Sequence, residues 1–112
     1  MNIEIERYPA VNVMTPAVRR LDASVSAAFR EGIAQEINAE PKSLIIDFSR
    51  VDFIDSSCLG TLVSLLKMMN GKGELVVCAL NPGIKNMFSL TRMDRIFTIS
   101  PDRAAALSRF AS

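Results

Sequence analysis

An α/β fold follows from three observations. Near-continuous apolar runs occur at Leu44-Ile45-Ile46-Asp47-Phe48 and Leu75-Val76-Val77-Cys78-Ala79, an amphipathic helical pattern lies between them, and the N-terminal segment alternates apolar and charged residues. Strands covered on both faces read as unbroken apolar runs, and a strand, crossover helix and strand in sequence make the two strands parallel with a right-handed connection. The expectation is one compact α/β domain over residues 1–112, a mixed sheet of four or five strands with the N-terminal strand antiparallel, and about four helices.

Asn2 to Tyr8 has the alternation of an edge strand, and Pro9-Ala10 turns the chain into a second strand around Val11 to Val18. Pro16 has no N–H for a sheet ladder, so it belongs at a strand edge, a bulge or an outward-facing position. Asp22 or Ser24 reads as the cap of a first helix in which Val25, Phe29, Ile33 and Ile37 recur every four residues, with Ala28 beside them. Pro41 closes that connection, and the Leu44 to Phe48 strand takes a central place. A second helix presents Leu59, Leu62, Val63, Leu66 and Met69 on one face and stops at Asn70-Gly71-Lys72-Gly73. Pro82 opens a short helix through Ile84, Met87 and Phe88, and Ile96-Phe97-Thr98-Ile99 reads as the last strand. Pro101-Asp102 then starts a terminal helix that docks through Ala105, Leu107 and Phe110.

A chain of 112 residues can bury roughly two thirds of the surface it exposes when unfolded, so no covalent staple is needed. Its 49% hydrophobic content separates it from disordered chains, and a net charge of +1 gives no electrostatic basis for a nucleic-acid partner. Cys58 and Cys78, in a chain without histidine, read as two reduced thiols of a cytoplasmic protein rather than a disulfide or a zinc site. Met1 to Arg7 lacks the basic start and apolar core of a signal peptide. The Cys58 to Leu66 run is interrupted by Gly60, Thr61 and Ser64 and is too short to span a bilayer. No membrane insertion, metal or cofactor is expected, and Met14, Met68, Met69, Met87 and Met93 read as gap-filling or interface residues.

The chemistry is concentrated between Val51 and Gly60, where an apolar segment runs into Asp55-Ser56-Ser57 and then a helix. A helix start has unpaired backbone N–H groups and the positive end of the dipole, so a hydroxyl there is well placed to carry a phosphate. Asp, Ser and Ser are equally good capping residues. A catalytic or metal site built from Asp22, Asp52 and Asp55 would lack an imidazole base. No Gly-x-Ser-x-Gly surrounds Ser56, and no Gly-x-x-x-x-Gly-Lys-Ser/Thr loop is present. Gly71-x-Gly73 therefore reads as a helix stop.

Four groups of residues carry a family resemblance: Asp55-Ser56-Ser57 with Leu59-Gly60, Gly71-Lys72-Gly73-Glu74-Leu75 entering a strand, Met87-Phe88-Ser89-Leu90-Thr91 after a short helix, and Leu21-Asp22 before the first long helix. In this arrangement the chain resembles the anti-sigma-factor antagonists of the STAS domain family. The resemblance implies a non-enzymatic switch. Unphosphorylated, it would sequester a serine-kinase anti-sigma factor and release the sigma factor; the kinase would phosphorylate Ser56, with Ser57 the second candidate and the expected structural cap, and a serine phosphatase would restore binding. ATP would belong to the partner.

The expected docking surface comprises Leu21, Asp22, Asp55, Ser56, Ser57, Ser89, Thr91 and Arg92, because loops leaving the carboxyl ends of parallel strands share one edge. Arg19, Cys58 and Arg92 stand where relatives commonly carry Gly. Cys58 reads either as a small buried side chain or as a thiolate activated by the helix start. The alternative binding role is a stand-alone STAS subunit of a transporter or signalling assembly. From a different class, the rival is a small hydrolase or thiol enzyme using Asp55, Ser56 or Cys58.

Overall fold

The computed structural model describes residues 1–111; Ser112, the end of the expected domain, lies outside the described residues. The chain runs β1 (Ile3–Arg7), β2 (Val11–Pro16), β3 (Arg20–Leu21), α1 (Ser26–Ala39), β4 (Ser43–Asp47), β5 (Phe53–Ile54), α2 (Ser56–Met68), β6 (Leu75–Cys78), α3 (Pro82–Leu90), a single 3-10 turn (Met93–Arg95), β7 (Thr98–Ser100) and α4 (Arg103–Ser108).

Five strands form the main sheet in the order β1-β2-β4-β6-β7. The β1–β2 pair is antiparallel, as the short Pro9-Ala10 connection demands, and every other neighbouring pair is parallel. β4 is central, and α2 and α3 are the crossovers that carry the chain to β6 and then β7. Pro16 is the last residue of β2, opposite Ile3, where its missing donor interrupts no interior rung.

Alternation along the strands divides the core. Met14, Leu44, Ile46, Leu75 and Val77 join Phe29, Ile33 and Ile37 of α1, Leu59, Leu62 and Leu65 of α2, and Ile84 and Phe88 of α3 in one large cluster. Val11, Val13, Ile45, Val76 and Cys78 point to the other face, where Ala106 of α4 meets them. Gly73 positions the β4–β6 ladder: its φ is +153°, and a Cβ there would lie 2.6 Å from the Ser43 amide nitrogen, so only glycine permits the approach.

Several local expectations are corrected. Neither Asp22 nor Ser24 caps α1: the cap position is Val25, which makes no side-chain cap bond, because the Asp22 carboxylate closes a turn onto Ser24 instead. Ala28 is exposed, and Ala34 takes the expected core place. In α2 the expected Leu59, Leu62 and Met69 are buried and Val63 and Leu66 pack half-buried against the same cluster, while Cys58 and Leu65 extend the buried face. β7 starts at Thr98; Ile96 is exposed, while Phe97 turns into the core and meets Phe88 edge-on at 5.9 Å. The terminal helix docks through Leu107 and Phe110 as expected, both packed against the second cluster, but its fully buried residue is Ala106, with Ala105 half-buried.

Candidate functional site

Two two-residue strands build the site. β3 and β5 pair in parallel, Arg20 beside Phe53 and Leu21 beside Ile54, as a second small sheet that sequence periodicity is too short to reveal. Leu21 and Ile54 are buried, which anchors both strands, and the Arg20 guanidinium covers the Phe53 ring at 4.2 Å from its centroid. Asp22 and Asp55 leave the two strands side by side. The segment before Ser56 therefore belongs to the small sheet, not directly to the main-sheet strand β4.

Asp55 is the cap of α2. Its Oδ1 accepts from the Cys58 amide at 3.2 Å and from the Ser57 hydroxyl at 2.7 Å, while Oδ2 accepts from the Ala23 amide at 2.9 Å. One carboxylate thus closes the helix start and ties it to the loop before α1. The Ser57 hydroxyl, followed by the Cys58 and Ala23 amides among its other donors, holds the Asp55 carboxyl below the ordinary carboxylate range. Asp22 is lowered likewise, chiefly by the Ser24 hydroxyl, which donates to it at 2.5 Å. Ser57, expected as the structural cap, instead donates to the cap.

Ser56 occupies the first helical position, exposed, and its hydroxyl makes no hydrogen bond among the described residues. Gly60 lies one turn further along; it too is exposed, and a Cβ on it would meet nothing within 4 Å. Cys58 is fully buried, with its Sγ 3.7 Å from the Asp22 carbonyl oxygen. Burial first, then the Asp55 and Asp22 carboxylates, pushes its thiol up to about 11. Burial favours the small buried side chain over an activated thiolate here, because desolvation outweighs the favourable helix end at this depth.

Leu21 cannot offer its side chain to a partner, being fully buried. Asp22 and Asp55 are half-buried and Ser57 is exposed. On α3, Asn81 caps the helix by accepting from the Ile84 amide at 2.8 Å and donates to the Asp52 carbonyl at 2.9 Å, joining α3 to the β5 loop. The Asn81-Pro82 pair, a strong helix-start signal, marks this link in the sequence. Asp52, Phe53, Ile54, Gly83, Ile84 and Met87 line the resulting shallow groove of about 170 Å³.

Ser89 lines a different cleft, with Lys85, Asp94 and Ile99, so it faces the β7 side of α3. Thr91 is exposed, and its hydroxyl is bound back to the Met87 carbonyl at 2.7 Å. Leu90 is 76% exposed. Arg92 is exposed in the left-handed region at φ 62°, which accounts for the glycine implied at this position; Arg19 has no such backbone requirement. Asp52 faces Arg19 at 3.9 Å, apart from the Asp22–Asp55 pair, and among the described residues no three metal-ligating side chains converge. Nor is any helix among them long and apolar enough to cross a membrane.

Comparison with known proteins agrees with this fold. A family model described as the STAS domain covers residues 2–106. An anti-sigma F factor antagonist of Paenibacillus polymyxa is 26% identical over 110 residues, 96% of this chain and 93% of the relative. A solved anti-sigma-factor antagonist (STAS) domain protein from Planctomyces limnophilus superposes with a TM-score of 0.88, at 23% identity over 98% of both chains. The Bacillus anti-sigma factor antagonist SpoIIAA shares the fold with a TM-score of 0.71. Its unphosphorylated form is 18% identical over 97% of each chain, and its phosphorylated form 17% identical over 98% of this chain and 100% of its own. With helices α1 to α3 on one face of the mixed sheet and the Asp55-Ser56-Ser57 helix start on its rim, the chain belongs to the STAS domain family.

Proposed function

We propose that this protein is an anti-sigma factor antagonist, acting in the cytoplasm as a single binding domain rather than as an enzyme, and switched by phosphorylation of Ser56. One observation carries the reading: of the hydroxyls at the start of α2, Ser56 is exposed and makes no hydrogen bond among the described residues, while Ser57 is engaged by Asp55. The antagonist role of the Paenibacillus relative supports the partner class. The partner would be an anti-sigma factor with serine-kinase activity, and a serine phosphatase would reverse the modification.

The docking face consists of Asp22, Asp55, Ser56, Ser57, Thr91 and Arg92, without the Leu21 side chain and with Ser89 at its far margin. A phosphate adds about −1.5 to −2 charges at a helix start that favours negative charge, so the fold survives. A partner carboxylate about 6 Å away, at an effective dielectric of about 40, is repelled by roughly 3 kcal/mol, which weakens binding by about two orders of magnitude. The exposed position of Ser56 thus allows charge to switch an interface without refolding the domain.

Affinity capture from the native cell with unmodified protein tests this. The captured partner should be a kinase-type anti-sigma factor, and ATP added to the complex should raise the mass of this chain by one phosphate, mapped to Ser56, and release it. Ser56→Ala should be captured equally and stay bound after ATP. A phosphate mapped to Ser57, or a Ser56→Ala complex that ATP still dissociates, would overturn the assignment.

A further inference from the structure

We propose that Asp55 confines the switch to one of two adjacent serines: by holding the Ser57 hydroxyl, the Cys58 amide and the Ala23 amide together, it makes a phosphate tolerable on Ser56 and destabilising on Ser57. The inference rests on the phosphoswitch reading above and adds what decides the site. In the transfer, a serine Oγ attacks the γ-phosphorus of ATP, the bond from that phosphorus to the bridging oxygen breaks, ADP leaves, and the hydroxyl proton passes to a base of the kinase or to water.

The two products differ in what the new oxygens meet. Among the described residues Ser56 Oγ has no partner to lose, and a phosphate on it would sit at the start of α2, whose first amides have no intrahelical acceptor. Ser57 Oγ is a donor 2.7 Å from Asp55 Oδ1. Replacing that proton with a phosphoryl group removes the donor and sets a near-dianion against the same carboxylate. Asp55 must then turn away, releasing the Cys58 amide at 3.2 Å and the Ala23 amide at 2.9 Å, or remain beside a like charge. Either course weakens the α2 cap and the bond linking α2 to the loop before α1. Asp55 is therefore a positioning and selecting residue, with no part in the transfer itself.

The experiment needs no kinase. Phosphoserine installed genetically at position 56 or at position 57 of the full chain, in the parent and in Asp55→Asn, is compared by thermal unfolding and by exchange of the Ala23 and Cys58 amides. In the parent, phosphoserine at 56 should leave Tm within about 2 °C of the unmodified protein, and at 57 should lower it by about 4 °C or more. Exchange at both amides should accelerate only in the second case. Asp55→Asn keeps a capping acceptor but removes the charge, so it should shrink the gap between the two phosphoforms by half or more. If Asp55→Asn fails to fold, the amide readout in the parent decides. Equal Tm values with equal amide protection, or a gap that Asp55→Asn leaves intact, would overturn the proposal. A cell that never phosphorylates Ser56 would instead sink the switch reading, leaving the measured asymmetry in place.

Discussion

One face of the main sheet buries Met14, Leu44, Ile46, Leu75 and Val77 beneath three helices, whereas the other presents Val11, Val13, Ile45, Val76 and Cys78 to the six-residue α4. The same strands supply both sets. On the first face α1, α2 and α3 contribute enough apolar surface to hold themselves in place. The second is closed by charge as well: Arg103 Nε donates to Asp47 Oδ2 at 2.9 Å and Nη2 donates to Thr15 Oγ1 at 2.6 Å, with Glu6 3.6 Å from the guanidinium. This six-residue helix fully buries only Ala106, with Leu107 and the following Phe110 half-buried against the cluster, so the ion pair adds to a smaller apolar contact than the three-helix face has. The contrast bears on the proposed switch, which sits on the first face. Ser56 stands at the start of α2, a helix anchored by Leu59, Leu62 and Leu65, so added charge at this exposed position meets a firmly held element.

The largest test of that contrast is Leu62→Ala on the three-helix face. Leu62 is fully buried, and the cavity should cost about 3 kcal/mol in urea unfolding. A cost below about 1 kcal/mol would mean that α2 is not anchored as described.

Arg103→Ala on the α4 face should cost about 2 kcal/mol. It leaves the Asp47 carboxylate, 5% exposed, without its cation, and the usual cost of such a loss is reduced here by the partial exposure of Arg103. The two thiols give this test local resolution. Burial raises Cys58 to about 11 and Cys78 to about 12, so both should alkylate slowly at neutral pH in the parent. Loosening α4 should speed Cys78 and leave Cys58 unchanged. Equal acceleration of the two would show that the faces open together.

A smaller effect of opposite sign is expected at Arg92. Arg92→Gly should raise stability by about 1 kcal/mol, because glycine relieves the left-handed backbone conformation there. An unchanged or lowered Tm would show that the arginine side chain makes a compensating contribution.

The smallest effect separates the Asp55 cap by pH. Its folded pKa lies below the ordinary value, so its contribution is fully present above about pH 4 and is lost as pH falls through the folded pKa. Ser57→Ala removes the leading cause of that depression. The acid loss should therefore begin at higher pH in the variant, with the difference from the parent vanishing once Asp55 is protonated in both. Urea midpoints measured from pH 7 to pH 2 check this, and parallel curves across the range would remove Ser57 from the account.

Residue order alone was enough for the apolar strands at Leu44 and Leu75, the parallel crossover between them, the antiparallel first hairpin and the placing of Asp55-Ser56-Ser57 at a helix start. Each is a local pattern whose period or turn chemistry persists in any fold that buries it. Other features depend on segments distant along the chain. The Asp55 cap is tied to the loop before α1 because the Ala23 amide, 32 residues away, meets its second oxygen. Leu21 left the candidate surface because β3 lies beside β5 and turns it inward. Ser89 faces the β7 side through the rotation of α3, and α4 docks through the Arg103–Asp47 pair, 56 residues apart. Burial and long-range hydrogen-bond partners are properties of juxtaposition and were decided by tertiary structure, whereas the contact that distinguishes the two adjacent serines, Ser57 to Asp55, joins residues only two apart.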